Sequence, residues 1–195
     1  MRRTDDRLMS CLDLSDSICV NSCHVIKLLE PAENCIEKYY ATLAVLNSRI
    51  AQWMFTADNP QMIGKTFAEI KVVYVERLPL PNFSRAQMSI LQTSVELLLL
   101  LKQMDFSHPA DQSSRDPLML AYFEQILNGL VYELYFPEEL HAAGLHLFDA
   151  VAKSKLPAIE TIPEEDRLSR LRTLFEILYD GTHPLRIALA KLQTL

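Results

Sequence analysis

The segment from Leu43 to Lys102 carries a fixed order of structural signals and no reaction chemistry. An amphipathic helix is followed by a glycine-centred polar loop, a strand, a Leu-Pro-Leu-Pro stretch and a long capped helix. The first helix is predicted over residues 36–55, because its apolar side chains recur at spacings of three and four. This stripe consists of Leu43, Leu46, Ile50 and Trp53. The chain holds only 4 Gly, so we expect helix to dominate the fold.

Three segments predict β-strands. Arg7–Leu12 and Ile18–Ile26 flank Asp13–Ser17, a polar stretch that is typical of a turn. Phe67–Leu78 is the third, because its centre is rich in β-branched and aromatic residues. Pro79-Leu80-Pro81 follows it, and proline cannot continue a hydrogen-bonded ladder. We therefore expect a small β-sheet in the first half of the chain.

Capping residues and prolines predict the remaining helices. Ser84 and Gln87 form a capping box for a helix that continues to about residue 104. Asp116-Pro117 starts a helix that extends to about Tyr135. Three later starts are predicted at Phe136-Pro137, Pro163-Glu164 and Pro184. The predicted fold class is α+β: a small sheet with packed helices in residues 1–104, a linker at 105–115 and a C-terminal helical bundle at 116–195.

The net charge of −6 is placed unevenly. Residues 1–103 carry 11 basic and 11 acidic side chains, whereas residues 104–195 carry 8 basic and 14 acidic ones. The broad positive field of an autonomous nucleic-acid binder is therefore absent. The polar start at Met1-Arg2-Arg3 does not fit a signal peptide, and no apolar run reaches the ~20 residues of a membrane span. We expect a cytoplasmic protein with no membrane association.

Five short motifs occur in an order that resembles a known family. They are the Arg-containing hairpin of residues 2–28, Leu46-Asn47-Ser48, Leu78-Pro79-Leu80-Pro81, Leu130–Tyr135 and Pro137-Glu138-Glu139. Together they are similar to the TaqI-like C-terminal specificity domain. That domain chooses the DNA site for type IIG-like restriction-modification and phage-defence adenine methyltransferases. The resemblance covers about residues 2–141.

The resemblance implies a target-recognition role without catalysis. The chain has no Asn-Pro-Pro-Tyr-type motif for a flipped adenine and no glycine-rich loop that follows a strand and could hold a nucleotide cofactor. We therefore predict no catalytic residue, no cofactor and no enzyme activity in this chain. Its expected partners are DNA, bound weakly by the chain alone, and a methyltransferase catalytic domain in cis or in trans. The chain would then be the product of a truncated gene, a split subunit or an excised piece of a larger enzyme.

The candidate DNA-binding residues lie on one polar loop and on the strands beside it. Asn and Gln side chains can hydrogen-bond adenine edges, whereas Lys and Arg can reach phosphates. The predicted set is Arg2, Arg3, Arg7, Asn59, Gln61, Lys65, Lys71 and Arg77. The competing interpretation is a solvated loop with ordinary surface charges.

Cysteine and histidine residues suggest a metal site or a nucleophile, but their spacing favours neither. Cys19, Cys23 and His24 lack the paired C-x-x-C spacing of structural zinc sites, and on a strand His24 would point away from both thiols. We predict no metal site. His108, His141, His146 and His183 lie in predicted linkers or at helix surfaces, and we expect most of them to be solvated. A cysteine hydrolase is a remote further class.

A second function remains open. Residues 104–195 are acidic and their predicted helices carry apolar stripes. These features fit a helical protein–protein interaction module that does not bind nucleic acid. Retention on a DNA-affinity resin, or its absence with a co-purifying protein, discriminates the two.

Overall fold

The computed structural model describes residues 8–15, 24–27, 35–58, 72–103, 113 and 115–195. Within these ranges the chain forms nine α-helices. The chain divides into two compact units, Met1–Asn82 and Phe83–Leu195. Most of the predicted linker at 105–115 lies outside the described residues, so the domain bounds drawn from it stay predictions.

The predicted α+β class is wrong, because the described residues contain helices and no strand. Leu8–Ser15 and His24–Lys27 are irregular, and Val72–Val75 is a single helical turn. The Glu76 N–H donates to the Val72 carbonyl at 2.9 Å, so this backbone is satisfied locally. Strand propensity mainly reflects packing against a neighbouring strand, and the described residues provide no such neighbour. The other parts of the predicted strands lie outside the described residues.

The first unit contains α1 (Ile36–Leu46), α2 (Arg49–Asp58) and α3 (Val72–Val75). The predicted helix over residues 36–55 is confirmed, but it is broken at Asn47 and Ser48. Two helices therefore replace the single helix from which the apolar stripe was predicted. Trp53 is consequently 68% exposed, although Leu43, Leu46 and Ile50 are buried as predicted.

The second unit is a bundle of six α-helices. They are α4 (Arg85–Gln103), α5 (Asp116–Tyr135), α6 (Pro137–Ala142), α7 (Leu147–Ser154), α8 (Arg167–Leu178) and α9 (Pro184–Leu192). The predicted capping box is confirmed, since the Ser84 N–H donates to Gln87 Oε1 at 2.9 Å and the Gln87 N–H donates to Ser84 Oγ at 3.2 Å. The helix starts predicted at Pro137 and Pro184 are also confirmed, whereas α7 was not predicted.

Helix α5 is the centre of this bundle and packs against α4, α6, α7, α8 and α9. Its apolar stripe is buried and includes Met119, Tyr122 and Leu130. The Tyr122 hydroxyl donates to the Leu178 carbonyl at 2.8 Å, which satisfies the one polar atom that this side chain buries. Burial raises the pKa of Tyr122 to about 12.

A buried ion pair joins the start of α5 to α8. Arg172 Nε donates to Asp116 Oδ1 at 3.0 Å and Nη2 donates to Oδ2 at 2.7 Å, a bidentate arrangement. The Ser113 N–H adds a third bond to Oδ2 at 2.9 Å. The hydrogen bond from Arg172 lowers the pKa of Asp116, which keeps this buried carboxylate ionised.

Candidate nucleic-acid interface

A small apolar cluster brings together four stretches of the first unit. Leu8, Leu46, Phe55 and Leu78 are its buried members. The partly buried residues Met54, Tyr74 and Val75 pack against it. Leu8 belongs to the irregular N-terminal stretch, and Leu78 follows α3. The cluster therefore fixes the ends of segments that lie far apart in the sequence.

Asn47, in the middle of the Leu-Asn-Ser motif, pins the N-terminal stretch to the end of α1. Its Oδ1 accepts the Ser10 N–H at 2.9 Å, and its Nδ2 donates to the Ser10 carbonyl at 3.0 Å. The same Nδ2 lies 3.2 Å from the Leu43 carbonyl, in the last turn of α1. One amide side chain thus pairs with both backbone groups of Ser10, as a neighbouring strand would.

Ser48 and Gln52 complete this junction. Ser48 is buried, and its Oγ accepts the Ala51 N–H at 3.2 Å, which caps the first turn of α2. Gln52 Oε1 accepts the Leu8 N–H at 2.7 Å. The Leu-Asn-Ser motif is therefore a structural joint, in which Leu46 fills the core, Asn47 holds Ser10 and Ser48 starts the next helix.

Arg77 is the one predicted DNA-binding residue that falls within the described ranges. It is exposed and lies two residues after the end of α3. Its guanidinium carbon lies 5.9 Å from the centre of the Tyr74 ring, at the outer limit of a cation–π contact. Because Tyr74 packs against the apolar cluster, this contact ties an exposed cation to a fixed part of the unit.

The other predicted site residues lie outside the described residues. They are Arg2, Arg3, Arg7, Asn59, Gln61, Lys65 and Lys71. The described chain fixes positions next to several of them, since Arg7 precedes the pinned Leu8, Asn59 follows α2 and Lys71 precedes α3. The structure therefore supports both ends of the predicted loop and the start of the N-terminal stretch. Of the zinc candidates, His24 is exposed, whereas Cys19 and Cys23 lie outside the described residues.

The second unit contains a polar cluster that sequence reasoning missed. Glu133 on α5 is buried, and its Oε1 lies 2.8 Å from His141 Nε2 while its Oε2 accepts the Phe148 N–H at 2.8 Å. The rings of His141 and His146 are stacked, with centroids 4.4 Å apart. A signal was present, because Glu133 lies three residues after the buried Leu130 on the core-facing stripe. A carboxylate at such a position is rarely buried without partners.

One comparison with known protein families concerns the first unit. The family model of the TaqI-like C-terminal specificity domain matches residues 1–80. This range corresponds closely to the compact unit Met1–Asn82, and it confirms the resemblance for this part of the chain. The match indicates DNA sequence recognition in a restriction-modification-type methyltransferase.

No curated protein and no solved structure matches the chain. In the part of the chain that the structure describes, no helix combines the length and the apolar character needed to cross a membrane.

Proposed function

We propose that this chain is the target-recognition part of a restriction-modification-type adenine DNA methyltransferase and does not itself catalyse methyl transfer. The observation that carries the proposal is the family match over residues 1–80, which ends where the first compact unit ends. The first unit would hold DNA in register, and a catalytic domain in cis or in trans would modify the adenine. Such a protein acts in the cytoplasm, in defence against phage.

The charge distribution sets the expected affinity. Residues 1–103 are balanced, with 11 basic and 11 acidic side chains, so few phosphates can be neutralised beyond local contacts. Each phosphate contact contributes roughly one unit to the dependence of binding on salt. The chain alone should therefore bind DNA weakly, and the catalytic domain should supply much of the affinity.

Arg77 is the residue whose role can be tested most directly. It is exposed, and the Tyr74 ring that it contacts packs against the apolar cluster. A guanidinium in this position can contact a phosphate as a simple cation or contact a guanine edge with two parallel hydrogen bonds. We favour the phosphate role, because loop residues such as Asn59 and Gln61 are better suited to adenine edges.

The direct test is methylation by a reconstituted enzyme. A TaqI-like adenine methyltransferase lacking its own specificity domain would be combined with this chain, and N6-methyladenine would be mapped on a randomised duplex library. We expect a defined target sequence only when the chain is present. Identical methylation patterns with and without the chain would contradict the recognition role.

Substitutions at Arg77 separate its two possible contacts. Arg77→Ala should weaken binding to all sequences and lower the salt slope by roughly one unit, whereas Arg77→Lys should retain most of the affinity. Arg170→Ala is the matched control, because it removes an exposed cation from α8 in the other unit. If Arg77→Ala and Arg170→Ala bind alike, Arg77 does not contact DNA.

Exposed apolar residues support the alternative function of a protein-binding helical module. Ile177 and Ile187 are 57% and 54% exposed on α8 and α9, within the acidic second half of the chain. A protein partner captured with no retention on DNA resin would favour this alternative. In the recognition model, the same surface is available to the catalytic domain.

A further inference from the structure

The Glu133 carboxylate is held in one orientation by the structure around it. Its Oε2 accepts the Phe148 N–H in the first turn of α7, so this oxygen takes the place of a capping side chain for that helix. Its Oε1 faces His141. The side chain of Glu133 is only 7% exposed, whereas that of His141 is 44% exposed. One oxygen is therefore occupied inside the protein, and the other points towards two imidazoles at the surface.

The backbone between α6 and α7 fixes the two histidines. Gly144 has a φ of +72°, the left-handed conformation that favours glycine. The Gly144 N–H donates to the His141 carbonyl at 2.9 Å, and the Leu145 N–H donates to the Leu140 carbonyl at 2.8 Å. This pair of bonds is the Schellman arrangement at a helix end. His146, the residue that follows, is the N-cap position of α7, so both imidazoles are attached to one rigid turn.

From this geometry we infer a binding site for a divalent transition-metal ion, with Glu133, His141 and His146 as its protein ligands. One ligand atom from each residue lies within 4.8 Å of the other two. Bonds of 2.0–2.2 Å to a tetrahedral ion place ligand atoms about 3.3 Å apart. Glu133 Oε1 and His141 Nε2, now 2.8 Å apart, need to separate by about 0.5 Å. His146 must approach by up to about 1.5 Å, which requires rotation of its exposed side chain on the fixed backbone.

The donor set specifies the class of ion. Two imidazoles and one carboxylate suit Zn²⁺, Co²⁺ or Ni²⁺ better than Ca²⁺ or Mg²⁺, which prefer oxygen ligands alone. The bond from the Phe148 N–H to the second carboxylate oxygen is the kind of outer contact that orients a metal-binding carboxylate. Three protein ligands leave a coordination position for water. The ion would tie α5, α6 and the start of α7 together.

The test uses the full chain with Zn²⁺ in equilibrium dialysis, and Co²⁺ as a spectroscopic probe. We expect one Zn²⁺ per chain, a higher Tm in Zn²⁺, and a Co²⁺ spectrum without the charge-transfer band of a thiolate ligand. His146→Ala should lower the affinity for Zn²⁺ by at least about tenfold, because loss of a residue that only supports a metal ligand already has an effect of that size. Glu133→Gln should also weaken binding, while circular dichroism reports whether each variant remains folded.

The matched control is His183→Asn, which removes an imidazole but keeps an acceptor for the Leu185 N–H that His183 now caps at 3.2 Å. It should bind Zn²⁺ like the parent chain. The inference is overturned if no stoichiometric Zn²⁺ binds, if His146→Ala binds like the parent, or if Co²⁺ shows thiolate ligation. The last result would place the ion on the cysteines.

Discussion

Replacing Asn47 by Ala tests whether the Leu-Asn-Ser motif is a structural joint. The substitution removes the two hydrogen bonds between the Asn47 amide and the backbone of Ser10, at 2.9 and 3.0 Å. The bond to Leu43 counts for little, because the backbone N–H of Asn47 already reaches the same carbonyl at 3.1 Å. A net contribution of about 0.5–1.5 kcal/mol per bond gives a loss of roughly 1–3 kcal/mol. We expect the lower half of this range, since water can replace bonds at an exposed site.

The effect should be confined to the first unit and be visible in its melting. For a unit of this size, 1 kcal/mol corresponds to about 4–8 °C in Tm. Calorimetry should show a lower Tm for the first unit only. Hydrogen exchange should be faster at the Ser10 amide, which loses its acceptor. The matched control is Asn82→Ala, because Asn82 is exposed in the same unit and its side chain forms no hydrogen bond with any described residue.

The reasoning is refuted by a specific result. If Asn47→Ala and Asn82→Ala have the same Tm, and exchange at Ser10 is unchanged, the amide does not hold the N-terminal stretch in solution. If the joint is real, DNA binding should also weaken uniformly across sequences. The stretch that Asn47 pins leads directly to Arg7, one of the predicted phosphate contacts.

Two predictions concern the second unit. Gly129→Ala should destabilise this unit by about 1 kcal/mol in chemical denaturation. The new Cβ would lie 3.0 Å from Leu189 Cδ2, and this overpacking outweighs the gain in helix propensity. The control is Gly181→Ala, whose Cβ would have nothing within 4 Å and which should change stability by less than about 0.5 kcal/mol. Asp116→Asn should cost about 3 kcal/mol by leaving Arg172 without its charged partner. Because Arg172 lowers the pKa of Asp116, the stability from this ion pair is present above about pH 4 and is lost as the pH falls further. The free energies of unfolding of the parent and of Asp116→Asn should therefore differ less in acid than at neutral pH. A difference that stays constant with pH would contradict the ion pair.

Local chemistry was sufficient to predict most helices of the second unit. The Ser84–Gln87 capping box and the prolines at 117, 137 and 184 act within one helical turn, so their effect can be read without knowing the fold. Tertiary context decided the rest. The β-branched residues Val72 and Val73 form a helical turn at the surface.

Two further features depended on contacts that no periodicity encodes. The apolar stripe that included Trp53 was predicted from one continuous helix. The chain instead forms two helices, α1 and α2, separated by Asn47 and Ser48. Glu133 meets His141 and His146 only because a turn between α6 and α7 brings them together. A sequence pattern could mark Glu133 as unusual on a buried stripe, but it could not identify its partners.

The residues that carry the family resemblance have a further consequence for specificity. Leu46 and Leu78 fill the apolar cluster, while Asn47 and Ser48 build the joint between α1 and α2. We call these four residues the frame: in the proposed function they support the fold, whereas base sequence is read by contacts to base edges. Two chains can therefore share every one of these motifs and still recognise different DNA sites. Differences in target should instead follow the segment between α2 and α3, which contains the predicted DNA-binding residues Asn59, Gln61 and Lys65. Exchanging that segment between two related chains should transfer the site preference, whereas exchanging the frame residues should leave the site preference unchanged.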